Sequence, residues 1–143
     1  MHDRSDVTSS EAADAVARRR IWIVEDEPAA ATLAAELCEQ SGAEATVFRA
    51  PLPYLAALRT ADQPSAVILD WRLEHELSAA LFLATRHRHP QLPVIYWTGS
   101  AAESLPAMIR SDARTRLVDK ASGTVAFESA LSWAFADDAA RQA

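Results

Sequence analysis

The chain of 143 residues has the length of one domain and can bury an autonomous hydrophobic core. Half of its residues are apolar and only three are glycine, which excludes the collagen-like and disordered classes. The net charge of −6 arises entirely in residues 21–143, because residues 1–20 contain four basic and four acidic side chains. We therefore expect no broad nucleic-acid-binding surface, since such a surface needs a basic face.

Three features bear on the cellular compartment. The single cysteine, Cys38, cannot form an internal disulfide, and its helical pattern predicts a buried core thiol. The uncharged apolar stretches, such as residues 77–85, are shorter than the roughly 18 residues of a membrane span. The first ten residues contain no apolar signal region. These features predict a cytoplasmic protein that does not enter a membrane.

The chain then divides into an N-terminal arm and an alternating series of short strands and helices. Residues 1–20 are polar, end in three arginines and predict a flexible arm, with a short helix over 11–19. From residue 21 onwards, continuous apolar runs alternate with helical patterns. The runs predict strands at 21–24, 45–48, 66–69, 93–97 and 116–118.

Five helices are predicted after the five strands, and each has its own expected core positions. The first begins at Pro28 and ends before Gly42, as these two residue types favour. The expected core positions are, in chain order, Ala30, Leu33, Ala34 and Leu37, then residues within 51–58, then Leu77, Ala80, Leu81 and Ala84, then Leu105, Met108 and Ile109, and finally Phe127, Leu131, Ala134 and Phe135.

This alternation predicts the fold class. Strands that are apolar on both faces and linked by helices indicate an α/β fold with a five-stranded, doubly wound parallel sheet of the flavodoxin-like (βα)5 type. We expect one domain at 21–138, a tail at 139–143 and no output domain. Right-handed crossovers bring the carboxyl ends of all strands to one edge, where open α/β sheets carry their sites.

Polar side chains end four of these strands. Glu25 and Asp26 follow the first, Asp70 follows the third, Thr98 ends the fourth and Lys120 follows the fifth. Three converging carboxylates repel one another unless a cation joins them or one proton stays bound, and the hard cation Mg²⁺ prefers oxygen ligands. A hydroxyl and an ammonium suit the oxygens of a phosphoryl group, which a carboxylate can accept as nucleophile.

The pattern therefore predicts an aspartyl-phosphate site. Taken singly, each of these residues also fits a solvated loop, a helix cap or a turn. Lys120 is the most specific signal, because it is the only lysine beside thirteen arginines, so this position favours a compact ammonium.

In these motifs the chain resembles response-regulator receiver domains. The resemblance spans residues 20–138 and rests on VEDEP at 24–28, VILDW at 67–71, VIYWTG at 94–99 and VDK at 118–120. The intervals of 44 residues between Asp26 and Asp70 and of 22 between Thr98 and Lys120 are usual for that family.

The resemblance implies a role for each site residue. Asp70 corresponds to the phosphoacceptor, Thr98 to the hydroxyl that moves toward the phosphoryl oxygens, and Lys120 to the lysine that pairs with Asp70 and later with the phosphate. Asp26 corresponds to the direct Mg²⁺ ligand, assisted by Glu25 through water. Asp70 and the backbone carbonyl of Arg72 complete the protein ligands that the family uses.

The resemblance also implies a function and partners. We expect a stand-alone phosphoacceptor of a two-component phosphorelay rather than a turnover enzyme. A histidine kinase or a histidine phosphotransfer protein donates the phosphoryl group. A downstream protein target docks on residues 103–138, with no nucleic acid or membrane involved, and a homodimer is left open.

The chain departs from the family pattern at several positions. Glu74 and Ser78 stand where the family has Pro and Gly, and Leu117 stands where it has an aromatic side chain that moves with the threonine. Ala121 replaces the usual Pro after the lysine, so the customary cis peptide is not expected. These departures keep open a pseudo-receiver, an interaction module that works without phosphorylation.

Two further functional hypotheses are disfavoured. A haloacid-dehalogenase-type phosphatase needs a second aspartate two residues after the nucleophile, where this chain has Arg72. A flavodoxin-like cofactor binder needs a glycine-rich phosphate loop, which the chain lacks.

Overall fold

A computed structural model of the chain describes residues 18–73, 78–99 and 104–142. In these residues five strands form one parallel sheet, as the sequence predicts, and their order across the sheet is β2-β1-β3-β4-β5. The strands are β1 (Arg20–Val24), β2 (Glu44–Phe48), β3 (Ala66–Leu69), β4 (Val94–Thr98) and β5 (Thr115–Asp119). Every residue of β3 and β4 is buried, because helices cover both faces of the sheet.

The helices follow the strands one by one. They are α1 (Pro28–Gln40), α2 (Pro51–Thr60), α3 (Ser78–Arg88), α4 (Ala107–Arg110) and α5 (Thr124–Gln142). Proline opens both α1 and α2, where its missing N–H is not needed. The Glu27 carboxylate caps α1 by accepting a 2.6 Å hydrogen bond from the backbone N–H of Ala30. After α1, Gly42 adopts a φ of +88°, which favours glycine.

Among the described residues, two hydrophobic cores lie on opposite faces of the sheet. Helices α1 and α5 cover one face and α2, α3 and α4 cover the other. The α1/α5 core includes Cys38, which is a fully buried free thiol as predicted. The sheet thus has a covered interior at its central strands β3 and β4.

Three predicted core positions are wrong. Leu33 on α1 and Met108 on α4 are 40% and 46% exposed, and Ala80 on α3 is exposed as well. On α1 the inward face is rotated by about one residue, and it buries Ala31, Ala34, Leu37 and Cys38. Alanine is abundant on α1, so spacing alone does not distinguish the two faces.

The boundaries of the described chain differ slightly from the predicted ones. Strand β1 begins at Arg20, and α5 continues to Gln142, past the predicted domain boundary at residue 138. The predicted arm helix at 11–19 lies almost wholly outside the described residues, as do Glu74 and Leu77. Within the part of the chain that the structure describes, no helix has the length and apolar character needed to cross a membrane.

Candidate functional site

The strand order brings the predicted site residues to one edge of the sheet. Strands β1 and β3 are neighbours, with Val24 in register with Leu69. The next residues, Glu25 and Asp70, therefore follow adjacent strands at the same level. Asp26 follows Glu25 in the same loop.

Three carboxylates meet at this edge. One oxygen from each of Glu25, Asp26 and Asp70 lies within 4.8 Å of the others, so these side chains could hold one metal ion. Glu25 and Asp70 are 1% and 5% exposed, which is rare for acidic residues without partners. Carboxylate oxygens at this spacing suit a hard divalent cation such as Mg²⁺.

Lys120 joins two of the carboxylates. Its Nζ lies 2.7 Å from Oε1 of Glu25 and 2.9 Å from Oδ2 of Asp70. One ammonium offsets only one of the three negative charges when all three acids are ionised. A bound divalent cation would offset the remaining two, so the charge of the donor set fits such an ion.

Backbone amides hold the other oxygens of the same two carboxylates. The N–H of Glu27 donates to Oε2 of Glu25 at 3.1 Å, and the N–H of Arg72 donates to Oδ1 of Asp70 at 3.0 Å. Each carboxylate is thereby fixed between an amide and an ammonium. Every oxygen keeps a lone pair for a further partner, because a carboxylate oxygen accepts at two positions.

The electrostatics of the site follow from this burial. Desolvation raises the pKa of Glu25, and the charge of Asp70 adds to that effect, while the hydrogen bond from Lys120 opposes it. For Lys120, desolvation acts to lower the pKa, but the bonds to Glu25 and Asp70 together outweigh it and raise the pKa. Lys120 is therefore a charged ammonium at neutral pH.

Thr98 and Arg72 complete the predicted set. Thr98 is the buried last residue of β4 and is in register with Asp119, the residue before Lys120. It therefore ends the strand next to the one that carries Asp70. The Arg72 side chain is exposed while its backbone N–H contacts Asp70. That the backbone carbonyl of Arg72 is a metal ligand stays a prediction.

One contact next to the candidate site was not predicted from the sequence. The hydroxyl of Ser78 donates to the backbone carbonyl of Asp70 at 2.8 Å, and the Tyr96 hydroxyl donates to the carbonyl of Ser78 at 3.4 Å. Ser78 is buried and opens α3, so it ties the start of this helix to the phosphoacceptor candidate. A serine at a helix start is the signal that could have indicated this role.

The structure also shows where two other departures from the family pattern, Leu117 and Ala121, are located. Leu117 is half-buried and packs against the α2/α3/α4 core. Ala121 is exposed in a short 3-10 turn, Lys120–Ser122. As expected, no peptide bond in the described segments is cis.

Comparison with solved structures identifies the fold. A response regulator receiver protein from Sinorhizobium medicae matches with a TM-score of 0.74 and 16% identity, over 85% of this chain and 97% of that one. A CheY-like response regulator receiver domain from Methylobacillus flagellatus matches with a TM-score of 0.70 and 23% identity, over 82% and 98%. The N-terminal domain of a response regulator/sensory box/GGDEF protein from Carboxydothermus hydrogenoformans matches with a TM-score of 0.75 and 19% identity, over 87% and 100%.

The sequence itself gives no such match. No family model matches the chain, and neither does any curated protein. The fold is nevertheless that of response-regulator receiver domains, because these structures are matched over nearly their whole length.

Proposed function

We propose that this chain is a phosphoacceptor receiver of a two-component phosphorelay, phosphorylated on Asp70 with Mg²⁺ and signalling through protein–protein contacts. The observation that carries the proposal is the contact of Lys120 Nζ with both Glu25 and Asp70 inside a cluster of three carboxylates. The receiver fold supports it, since these residues occupy the carboxyl edge of the sheet.

The chemistry follows from the donors around Asp70. A carboxylate oxygen of Asp70 attacks the phosphorus of a phosphohistidine on the partner, so an O–P bond forms as the P–N bond breaks. The Lys120 ammonium and the Thr98 hydroxyl then donate hydrogen bonds to the phosphoryl oxygens. Glu25, Asp26 and Asp70 would hold Mg²⁺, which would supply positive charge toward those oxygens.

The phosphoryl group ends on a side chain of the protein itself, so we propose a signalling protein rather than a turnover enzyme. The donor is a histidine kinase or a histidine phosphotransfer protein. The added charge of about −1.5 to −2 forces Lys120 and the surrounding groups to rearrange. A target would recognise this change on residues 103–138, which include β5 and most of α5.

Intact mass spectrometry after incubation with Mg²⁺ and acetyl phosphate tests the proposal. We expect one added phosphoryl group on the wild type and none on Asp70→Asn. Asp119→Asn is a matched control, because Asp119 ends β5 at the same edge, is exposed and uses its Oδ1 only to cap the N–H of Ala121 among the contacts described. This control should be phosphorylated like the wild type.

The second candidate is a pseudo-receiver, which the aliphatic Leu117 favours because it leaves the threonine without the family's aromatic partner. Isothermal titration with Mg²⁺ separates the two candidates. Absence of both Mg²⁺ binding and a phosphoryl adduct would overturn our proposal in favour of the pseudo-receiver. An equal adduct on Asp70→Asn would overturn the assignment of Asp70.

A further inference from the structure

The Lys120 ammonium has a third neighbour that the acidic cluster does not account for. Its Nζ lies 5.1 Å from the centre of the Trp97 ring. A cation over the face of an indole is attracted by the negative charge of the ring face. Lys120 is thus held by two carboxylates and one aromatic ring.

The ring of Trp97 is itself fixed. It is 4% exposed, lies on β4 and belongs to the α1/α5 core. Its edge-to-face contact with Phe127 on α5 has ring centres 5.1 Å apart and an interplanar angle of 78°. Strand β4 is paired with a neighbour on both sides, so the backbone that carries the ring is also constrained.

A fixed ring matters because lysine is flexible. Its four-carbon stem has many rotamers, and confining them costs conformational entropy. The Lys120 side chain is 24% exposed, so solvent is an alternative destination for the ammonium. A flat apolar surface that also attracts the cation narrows the rotamers to those that reach Glu25 and Asp70.

We infer that Trp97 is a positioning residue for Lys120: its indole ring holds the ammonium at the phosphorylation site. Trp97 therefore acts through Lys120 and need not touch the phosphoryl group. The inference rests on the proposed function only where it concerns the rate of phosphorylation, since the ring–ammonium contact exists before any reaction.

The first test uses the composition of the chain. Lys120 is the only lysine, so labelling with ¹³C-lysine gives the NMR signals of one side chain. In the unphosphorylated wild type we expect ring-shifted, upfield Hε protons and cross-relaxation between these protons and the Trp97 ring. Trp97→Met should lose the upfield shift and Trp97→Phe should keep part of it, because phenylalanine retains a smaller ring.

Trp133→Leu is the matched control for loss of an indole. Trp133 is a half-buried tryptophan on α5 whose ring contacts the Arg116 guanidinium at 4.9 Å. The Lys120 signals should not change in this variant. The cross-relaxation in the wild type needs no variant, so the test survives if Trp97→Met fails to fold.

The second test measures phosphorylation by acetyl phosphate at saturating Mg²⁺. We expect Trp97→Met to react about threefold more slowly, the factor that a cation–π contact at a partly exposed site corresponds to. Trp97→Phe should recover part of that loss. Trp22→Phe, which removes a buried indole from β1 in the opposite core, should react like the wild type.

Each outcome is decisive. Lysine signals without ring shift or cross-relaxation in the wild type would overturn the contact itself. Loss of the ring shift in Trp97→Met, together with an unchanged phosphorylation rate, would overturn the positioning role. If neither the wild type nor any variant is phosphorylated and the wild type binds no Mg²⁺, the proposed function fails, whereas the lysine spectra still decide whether Trp97 holds Lys120.

Discussion

Lys120 shows how one side chain can make an otherwise unfavourable cluster stable. Glu25 and Asp70 are nearly fully buried beside each other, and both accept a hydrogen bond from Lys120 Nζ. Without that ammonium, two desolvated carboxylates would face each other. The raised pKa of Glu25 shows that even with Lys120 present the burial of this acid is costly.

Lys120→Met should therefore lower the free energy of unfolding at pH 7 in the absence of Mg²⁺. We expect a loss of about 2 kcal/mol, below the full value for a buried pair because Lys120 is partly exposed. The double variant Glu25→Gln/Lys120→Met should recover part of the loss, since it removes one of the facing charges. Urea unfolding measures both, and a loss in the double variant as large as in the single one would contradict this account.

At the scale of the elements, arginines support the helix ends and loops at the edge opposite the site. The Arg86 guanidinium on α3 donates to the carbonyls of His89, Pro90 and Leu92 at 3.1, 3.1 and 2.8 Å, and to Asp112 at 2.8 Å. A guanidinium can serve several acceptors at once because it has five donors in a fixed plane. Arg86 thereby ties the end of α3 to the loop that leads into β4 and to Asp112.

Arg86→Lys keeps the charge but replaces the planar guanidinium and its five donors with an ammonium. We therefore expect it to destabilise the α3–β4 connection. The expected loss is about 2 kcal/mol, because three backbone carbonyls, two of them in part-buried hydrogen bonds, lose a charge-assisted donor. Arg59→Lys, an exposed position at the end of α2, should stay within about 0.5 kcal/mol of the wild type. Equal effects of the two substitutions in urea unfolding would refute the stabilising role of the Arg86 guanidinium geometry.

At the scale of the whole molecule, both cores bury groups that must stay protonated. Burial raises the pKa of the Cys38 thiol to about 12 in the α1/α5 core. In the opposite core burial raises the pKa of Tyr96 to about 12, and burial also raises the pKa of Tyr54, whose hydroxyl bonds with Thr85 at 2.5 Å. Above their ordinary pKa values, the unfolded chain releases these protons and the folded chain keeps them.

The free energy of unfolding should therefore be nearly constant from pH 7 to 9 and should fall above pH 9, the ordinary pKa of a thiol. Each such group contributes up to about 1.4 kcal/mol per pH unit, because the folded state binds more protons. Cys38→Ala should delay the onset to about pH 10, where tyrosines ionise in the unfolded chain. Urea unfolding followed by circular dichroism checks this, and an unchanged onset in Cys38→Ala would contradict it.

By itself the sequence determined the order of strands and helices and the residues that end them. Residues 66–69 show why: a continuous apolar run followed by Asp70 can be read without knowing its neighbours. Parallel strands end at one edge, so Glu25, Asp26, Asp70, Thr98 and Lys120 could be placed together in advance. The receiver fold and the acidic cluster were predictable for this reason.

Only the tertiary structure decided which helix faces point inward and which side chains meet across the chain. Leu33 is exposed because α1 presents its small alanines to the sheet, a rotation that spacing does not specify. The bond from Ser78 to Asp70 and the contact of Lys120 with Trp97 join residues that are eight or more positions apart. Such contacts depend on strand register and on side-chain rotamers, which form only when the elements pack together.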